Sequence, residues 1–255
     1  MRIVIFLVFA LLFSCKNATS LIADKHTYPN PVDTTTRPIQ QQQKKTYVLN
    51  GLSVTNDFPA ARLNKFLQEN DSTYVARIWP ENFPINPSPW YAFKLWSESE
   101  REIYVKLDYS NGAKHRYTPK LSSDGERWSQ LDSTLLQLNQ DSTSATIRLN
   151  VGKDTLWVAA QEIQDHKRVG VWVNKMAQNS LVNESVAGKS ALGRDLYHLN
   201  IFKGTDYKKK PAVLIISRQH PPEVTGFLCM KAFVETIIEE GASNGFLEKY
   251  RVMVY

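Results

Sequence analysis

The segment that most constrains this chain is a hydrophobic run, a short polar turn and a second hydrophobic run in immediate succession. Ala212-Val213-Leu214-Ile215-Ile216-Ser217 is brief, rich in branched residues and entered through Pro211. That is the composition of a buried parallel-type strand. Val224 to Glu240 reads as a helix packed on the same sheet, with Gly241 as its C-terminal cap. Between them lies Arg218-Gln219-His220-Pro221-Pro222-Glu223. Open α/β sheets place their ligands at the carboxyl edge of their strands, where this turn falls. An imidazole and a carboxylate three residues apart can offer two zinc ligands from one rigid corner. The sequence up to Tyr255 holds no obvious third.

With 255 residues the chain can hold one large domain or two modest ones, and either can bury a core. Its 42% hydrophobic and 22% charged residues are ordinary for a globular protein, and its formal net charge of +6 is mild. Apart from Lys44-Lys45 and Lys208-Lys209-Lys210 the basic residues are scattered, and no tract interleaves them with aromatics. No nucleic-acid partner is expected.

Arg2 and the apolar run Ile3 to Phe13, too short to span a bilayer, give residues 1–14 the form of a signal peptide. Leu12-Phe13-Ser14-Cys15 resembles the lipobox of bacterial lipoproteins, in which the cysteine is acylated after cleavage before it. The alternative is an ordinary signal peptide with an incidental cysteine. Lys16 follows where aspartate is associated with inner-membrane retention. The expectation is therefore a protein of the bacterial cell envelope, lipid-anchored at Cys15 to the outer membrane and facing the periplasm or exterior. Only Cys229 then remains, so no intrachain disulfide is available. Cys229 lies among Phe227, Leu228, Met230 and Phe233 and reads as a core residue.

Residues 15–45 read as a flexible tether, with Pro29, Pro31 and Pro38, a threonine run and Gln40 to Gln43. From residue 46 to 163 the pattern is β. Asn50-Gly51 and Asn111-Gly112 are hairpin turns. Ile103, Val105, Leu107 and Tyr109 alternate with Tyr104, Lys106 and Asp108. Thr73 to Trp79, Trp90 to Trp96, Thr143 to Leu149 and Thr155 to Ala160 read as further strands, and Ala60 to Gln68 as a strand in spite of some helical propensity. Short strands with frequent turns predict a small antiparallel sandwich. Residues 164–255 change character: Gln164 to Gln178 is helical, Arg194 to Phe202 a strand, and Arg251 to Tyr255 a buried strand that leaves its sheet unfinished.

The residues also resemble a known family, the zinc metallocarboxypeptidases of the carboxypeptidase A superfamily, and within it the cytosolic-carboxypeptidase-like subgroup. The first part resembles it in Asn86-Pro87-Ser88-Pro89-Trp90-Tyr91-Ala92-Phe93, Tyr117-Thr118-Pro119 and Ser122-Ser123-Asp124-Gly125-Glu126-Arg127-Trp128. The second resembles it in Gly193-Arg194-Asp195-Leu196 and in Arg218 to Glu223. The resemblance implies α/β plus all-β architecture: an N-terminal antiparallel β-sandwich followed by an incomplete α/β zinc-carboxypeptidase domain, truncated at its C-terminal side. It makes His220 and Glu223 the first two ligands of a Zn2+ ion, and peptide or protein C-termini the substrate. It places the third histidine ligand and the general-base glutamate beyond Tyr255, so this chain alone is expected to be inactive. Pro222 departs from the subgroup, which often has glycine there, and restricts Pro221 to extended backbone.

Other readings stand beside this one. His220 alone could be a satisfied histidine at a strand end. His26, His115, His166 and His198 lie in the tether, in other segments or mid-strand, and none is assigned as a ligand. Arg218 shapes the pocket or is simply solvated or structural, and Arg194 and Asp195 read as a turn-and-strand contact. Two further functions are an aspartoacylase-like amidohydrolase, against which the sandwich argues, and a non-enzymatic surface lipoprotein binding glycan or peptide. The last would use Trp79, Trp90, Tyr91, Trp96 and Trp128 as a stacking platform, although aromatics in small sandwiches are more often core.

Overall fold

Alternation of apolar and polar residues builds the first part of the structure. The structure, a computed structural model, describes residues 42–80, 88–109, 112–220, 222–241, 243 and 245–255. The signal peptide, Cys15, His26, the tether as far as residue 41, Asn86, Pro87, Asn111 and Pro221 lie outside the described residues. Strands β1 (Thr46–Leu49) and β2 (Leu52–Thr55) form a hairpin through Asn50 and Gly51, whose φ values of 49° and 73° suit a primed turn. There follow β3 (Lys65–Gln68), β4 (Thr73–Ile78), β5 (Ala92–Ser97) and β6 (Arg101–Tyr109). Then come β7 (Lys120–Ser122), β8 (Ser129–Gln130), β9 (Leu136–Leu138), β10 (Ser144–Val151) and β11 (Leu156–Ala159).

These strands make two sheets, ordered β1-β2-β5-β11-β7-β8 and β3-β4-β6-β10-β9. Leu52, Val54, Phe93 and Leu95 from one sheet share a buried core with Tyr74, Ile103, Val105, Leu107 and Ile147 from the other. The sandwich is not wholly antiparallel. β4 runs parallel to β6, from Thr73 opposite Tyr104 to Ile78 opposite Tyr109, because the connection after β4 returns through β5 in the other sheet before β6 pairs with it. Before β1, the Gln42 side chain donates to Ala61 O and accepts from Leu63 N–H, so residue 42 is already fastened to the sandwich.

The second part opens with α1 (His166–Met176), where the Asp165 carboxylate accepts from the N–H groups of Lys167 and Arg168 as an N-cap. β12 (Val182–Lys189) and β13 (Asp195–Ile201) form a hairpin. β14 (Ala212–Ile215), α2 (Val224–Glu240), α3 (Phe246–Lys249) and β15 (Arg251–Val254) complete the described elements. The sheet order is β12-β13-β15-β14, with β14 parallel to β15. One face of it packs Leu199, Ile201, Val252 and Val254 against Trp172 and Val173 of α1 and Phe227, Met230 and Val234 of α2. Among the described residues no helix is long and apolar enough to cross a membrane.

Two expectations fail here. β14 is parallel but not buried: it is an edge strand with Leu214 58% exposed, and Ile216 just beyond it is 59% exposed. Cys229 is exposed rather than core, because α2 turns Phe227 and Met230 to the sheet and leaves Cys229 on its open side.

The two parts form one compact unit within residues 38–255. Val224, the first residue of α2, is fully buried in the sandwich core, and Leu228 one turn later packs against it. Arg168 of α1 donates to Ile163 O and Gly125 O, both at 2.8 Å, and to the Glu126 carboxylate at 2.6 Å.

Candidate metal-ligand turn

The turn between β14 and α2 begins where the parallel pairing with β15 runs out. Tyr255 N–H donates to Ile215 O and Ser217 N–H to Tyr255 O, which fixes the strand end. Arg218 then adopts φ 58°, the left-handed region. For a residue with a Cβ that conformation costs roughly 1–3 kcal/mol and persists only where the surroundings hold it. Its Nη1 donates to Gln164 O at 2.7 Å, and its guanidinium lies 5.7 Å from the Phe227 ring centroid. Burial pulls its pKa below the usual guanidinium range, while the carboxylates of Asp165 and Glu223 act in the opposite direction.

Two residues on, His220 and Glu223 meet. Nδ1 of His220 lies 2.7 Å from Glu223 Oε1, and the His220 backbone N–H donates to Oε2 at 3.0 Å. The hydrogen bonds from the His220 ring and backbone hold the Glu223 carboxyl below its ordinary pKa. An ionised carboxylate only accepts, so Nδ1 is the donor in this contact. Both side chains are about half exposed, at 55% and 46%.

The pair has the donor chemistry of a zinc site, one imidazole nitrogen and one carboxylate oxygen. His220 and Glu223 would hold such an ion, the imidazole carrying its proton on Nε2 to free Nδ1 as a donor. Among the described residues, no group of three or more His, Cys, Asp and Glu side chains could hold a metal ion. The residues present fit two positions of a zinc site and do not complete one.

Glu223 also lines an open groove of about 650 Å³ between the edge of β14 and α2, with Ile216, Arg218, Thr225, Cys229 and Phe233. The remaining candidates lie apart from the turn. His115 sits in the sandwich with its Nδ1 2.9 Å from the Tyr109 hydroxyl. His198 lies on β13, 3.0 Å from Ser185 Oγ and stacked on Tyr255. Asp195 pairs with Lys189 across the β12–β13 hairpin, and Arg194 lies in its turn. The aromatic platform does not assemble: Trp90 and Tyr91 are buried in the core, Trp128 packs against the core edge-on to Trp157, Trp79 follows β4, and Trp96 lies on the other sheet. Residue types gave no warning of two supports of the turn, the Gln164 carbonyl and Val224. The left-handed Arg218 is visible only in the backbone.

Comparison with known proteins bears on the fold around this turn. The family model for zinc carboxypeptidases matches residues 170–254. Solved structures share the fold at low identity. A metallo-carboxypeptidase from Burkholderia cenocepacia superposes with a TM-score of 0.65 at 16% identity, covering 80% of this chain and 55% of that one. A putative carboxypeptidase A from Shewanella denitrificans OS-217 gives 0.66 at 15%, covering 79% and 53%. A metallo-carboxypeptidase from Pseudomonas aeruginosa, in complex with (2-guanidinoethylmercapto)succinic acid, gives 0.64 at 20%, covering 79% and 54%. The chain thus spans about half the length of these structures. No curated protein matches it significantly. The chain has a distant, partial match to the carboxypeptidase A superfamily, with a multi-strand region followed by an incomplete α/β carboxypeptidase-like region.

Proposed function

We propose that this chain carries the β-sandwich and the first two zinc ligands of a metallocarboxypeptidase that hydrolyses C-terminal peptide bonds, nearest to the cytosolic-carboxypeptidase-like subgroup. The observation that carries the reading is the convergence of His220 Nδ1 and Glu223 Oε1, 2.7 Å apart, at the carboxyl end of a parallel strand inside the segment matched by the zinc carboxypeptidase model. His220 and Glu223 are the residues that would hold Zn2+. When bound in an open site, that ion would lower the pKa of a water and polarise the scissile carbonyl. The third ligand, the general base and the groups that hold the substrate carboxylate would come from segments other than those described, so no hydrolytic step is assigned to this chain alone. What its own residues do is bind and orient: Glu223 stays ionised, and His220 is fixed by two contacts to it.

The test is a trimming assay on the protein isolated from the producing cells, with synthetic peptides read by mass spectrometry. Loss of single C-terminal residues that stops with a chelator and with His220→Ala supports the proposal. Turnover of acylated amino acids in place of peptides would move the reading to an aspartoacylase-like amidohydrolase, and no turnover of either would refute an enzyme. A lipid anchor at Cys15 and a cell-envelope address belong to the same proposal, on the strength of Leu12-Phe13-Ser14-Cys15 and the tether behind it. Incorporation of labelled palmitate that survives Cys15→Ala would overturn that part.

A further inference from the structure

We infer that Arg218 is a positioning residue for the metal ligands, a clamp that sets the distance between the end of β14 and the start of α2 by fastening both to the segment leaving the sandwich. The inference rests on the reading of His220 and Glu223 as zinc ligands.

His220 and Glu223 stand on opposite sides of Pro221-Pro222, one following a strand and the other starting a helix. Whether their donor atoms converge depends on how those two elements are held. Arg218 reaches both. Its backbone, at φ 58°, turns the chain out of the strand. Its Nη1 donates at 2.7 Å to the carbonyl of Gln164, the residue before the Asp165 cap of α1 and one after Ile163, which is buried in the sandwich core. Its guanidinium also lies over the ring of Phe227, whose N–H donates to Glu223 O in the first turn of α2. One side chain thus links strand end, helix start and the junction with the sandwich. A strained φ held by contacts on two elements is the kind of backbone feature that marks an over-determined site. Arg168 provides the contrast: it also ties the second part to the sandwich, through Gly125 and Glu126, but touches neither side of the turn. A planar, rigid donor suits the clamp better than a flexible ammonium.

The test uses the full chain with ring-15N-labelled histidine, titrated with zinc chloride and followed by NMR, which reads weak affinities. His220→Ala assigns the His220 ring signals. In the wild type, zinc should move those signals; if it does not, the ligand reading fails and the clamp with it. If it does, Arg218→Gln should weaken the apparent affinity by about 10-fold or more, as loss of an outer partner of a metal ligand does. Arg218→Lys should fall between the two, and Arg168→Gln should bind zinc like the wild type. Wild-type affinity in Arg218→Gln overturns the clamp while leaving the ligands standing. So does an equal loss in Arg168→Gln, which would mean general loosening. Should Arg218→Gln fail to fold, Arg218→Lys decides: wild-type affinity there overturns the inference and a weaker one supports it.

Discussion

Val224→Ala tests whether the His220–Glu223 turn is founded on the sandwich. Val224 is the first residue of α2, directly after Glu223, and is fully buried in the sandwich core. Removing two methyl groups forfeits about 1.6 kcal/mol of transfer free energy at about 0.8 kcal/mol per group. A residual void of a few tens of Å³ adds about 1 kcal/mol at roughly 24 cal/mol per Å³. Alanine's better helix propensity returns at most about 0.7 kcal/mol. The net expectation is a loss of about 2 kcal/mol. With a urea m-value of about 2–3 kcal/mol/M the midpoint falls by about 0.7–1 M. The assay is equilibrium unfolding with two probes, tryptophan fluorescence, to which Trp90 and Trp157 of the sandwich contribute, and helical circular dichroism, which reports chiefly α1 and α2. Both curves should move together, as in a single cooperative unit. An unchanged midpoint, or a shift confined to the helical signal, would refute the reasoning, because it would mean that the start of α2 is not part of the sandwich core.

Three further outcomes follow from the structure. Burial lowers the pKa of His115, and the unfolded chain keeps the ordinary value of about 6.5, so the unfolded state binds the proton first as pH falls. Stability present above about pH 6.5 is therefore lost below it; His115→Phe should flatten that slope in urea midpoints, leaving a remainder from His198, whose pKa is also lowered by burial. Gly125→Ala puts a Cβ 2.9 Å from two ring carbons of Trp157 at φ 76°, and should cost more than about 2 kcal/mol in thermal unfolding; a neutral substitution would mean the close packing is absent. With two donors in place, the chain by itself should take up zinc weakly, and tight stoichiometric uptake in equilibrium dialysis would show that a third ligand is present.

What could be read in the sequence was whatever depends on near neighbours. The branched run of β14 and the apolar period of α2 put both elements in place, with α2 found at Val224–Glu240 as expected. The alternation in β6 put Ile103, Val105, Leu107 and Tyr109 inside. What depends on distant partners was hidden. The largely exposed β12 was assigned no element from the sequence, yet it forms a strand because β13 pairs with it from Val182 to Lys189, with a register shift between Val186 and Gly188. The parallel pairing of β4 with β6 leaves no mark on either strand alone. Cys229 sits among apolar neighbours in sequence, and only the position of the sheet decides that it faces outward. Within the candidate site, His220 and Glu223 were singled out by their spacing, and the structure brings their side chains together. The Gln164 carbonyl, 54 residues from Arg218, was not, since any residue type can offer a backbone oxygen.

The His220–Glu223 contact also bears on what a metal would contribute. Both sides of the turn are held by the protein itself: β15 holds the strand end and Val224 anchors the helix start. In a small zinc domain without such supports, metal binding and folding are one event. Here the ion would replace a hydrogen bond between two half-exposed groups, a contact worth little net free energy because water competes for both partners. Opening the pair therefore costs little, and the number of donors brought to the turn weighs more in its affinity than the placement of the two already there. By the same reasoning, supplying one more imidazole should raise zinc affinity far more than any repacking of the turn. A chain provided with that third donor and still binding zinc weakly would show that the two ligands are held in the wrong place.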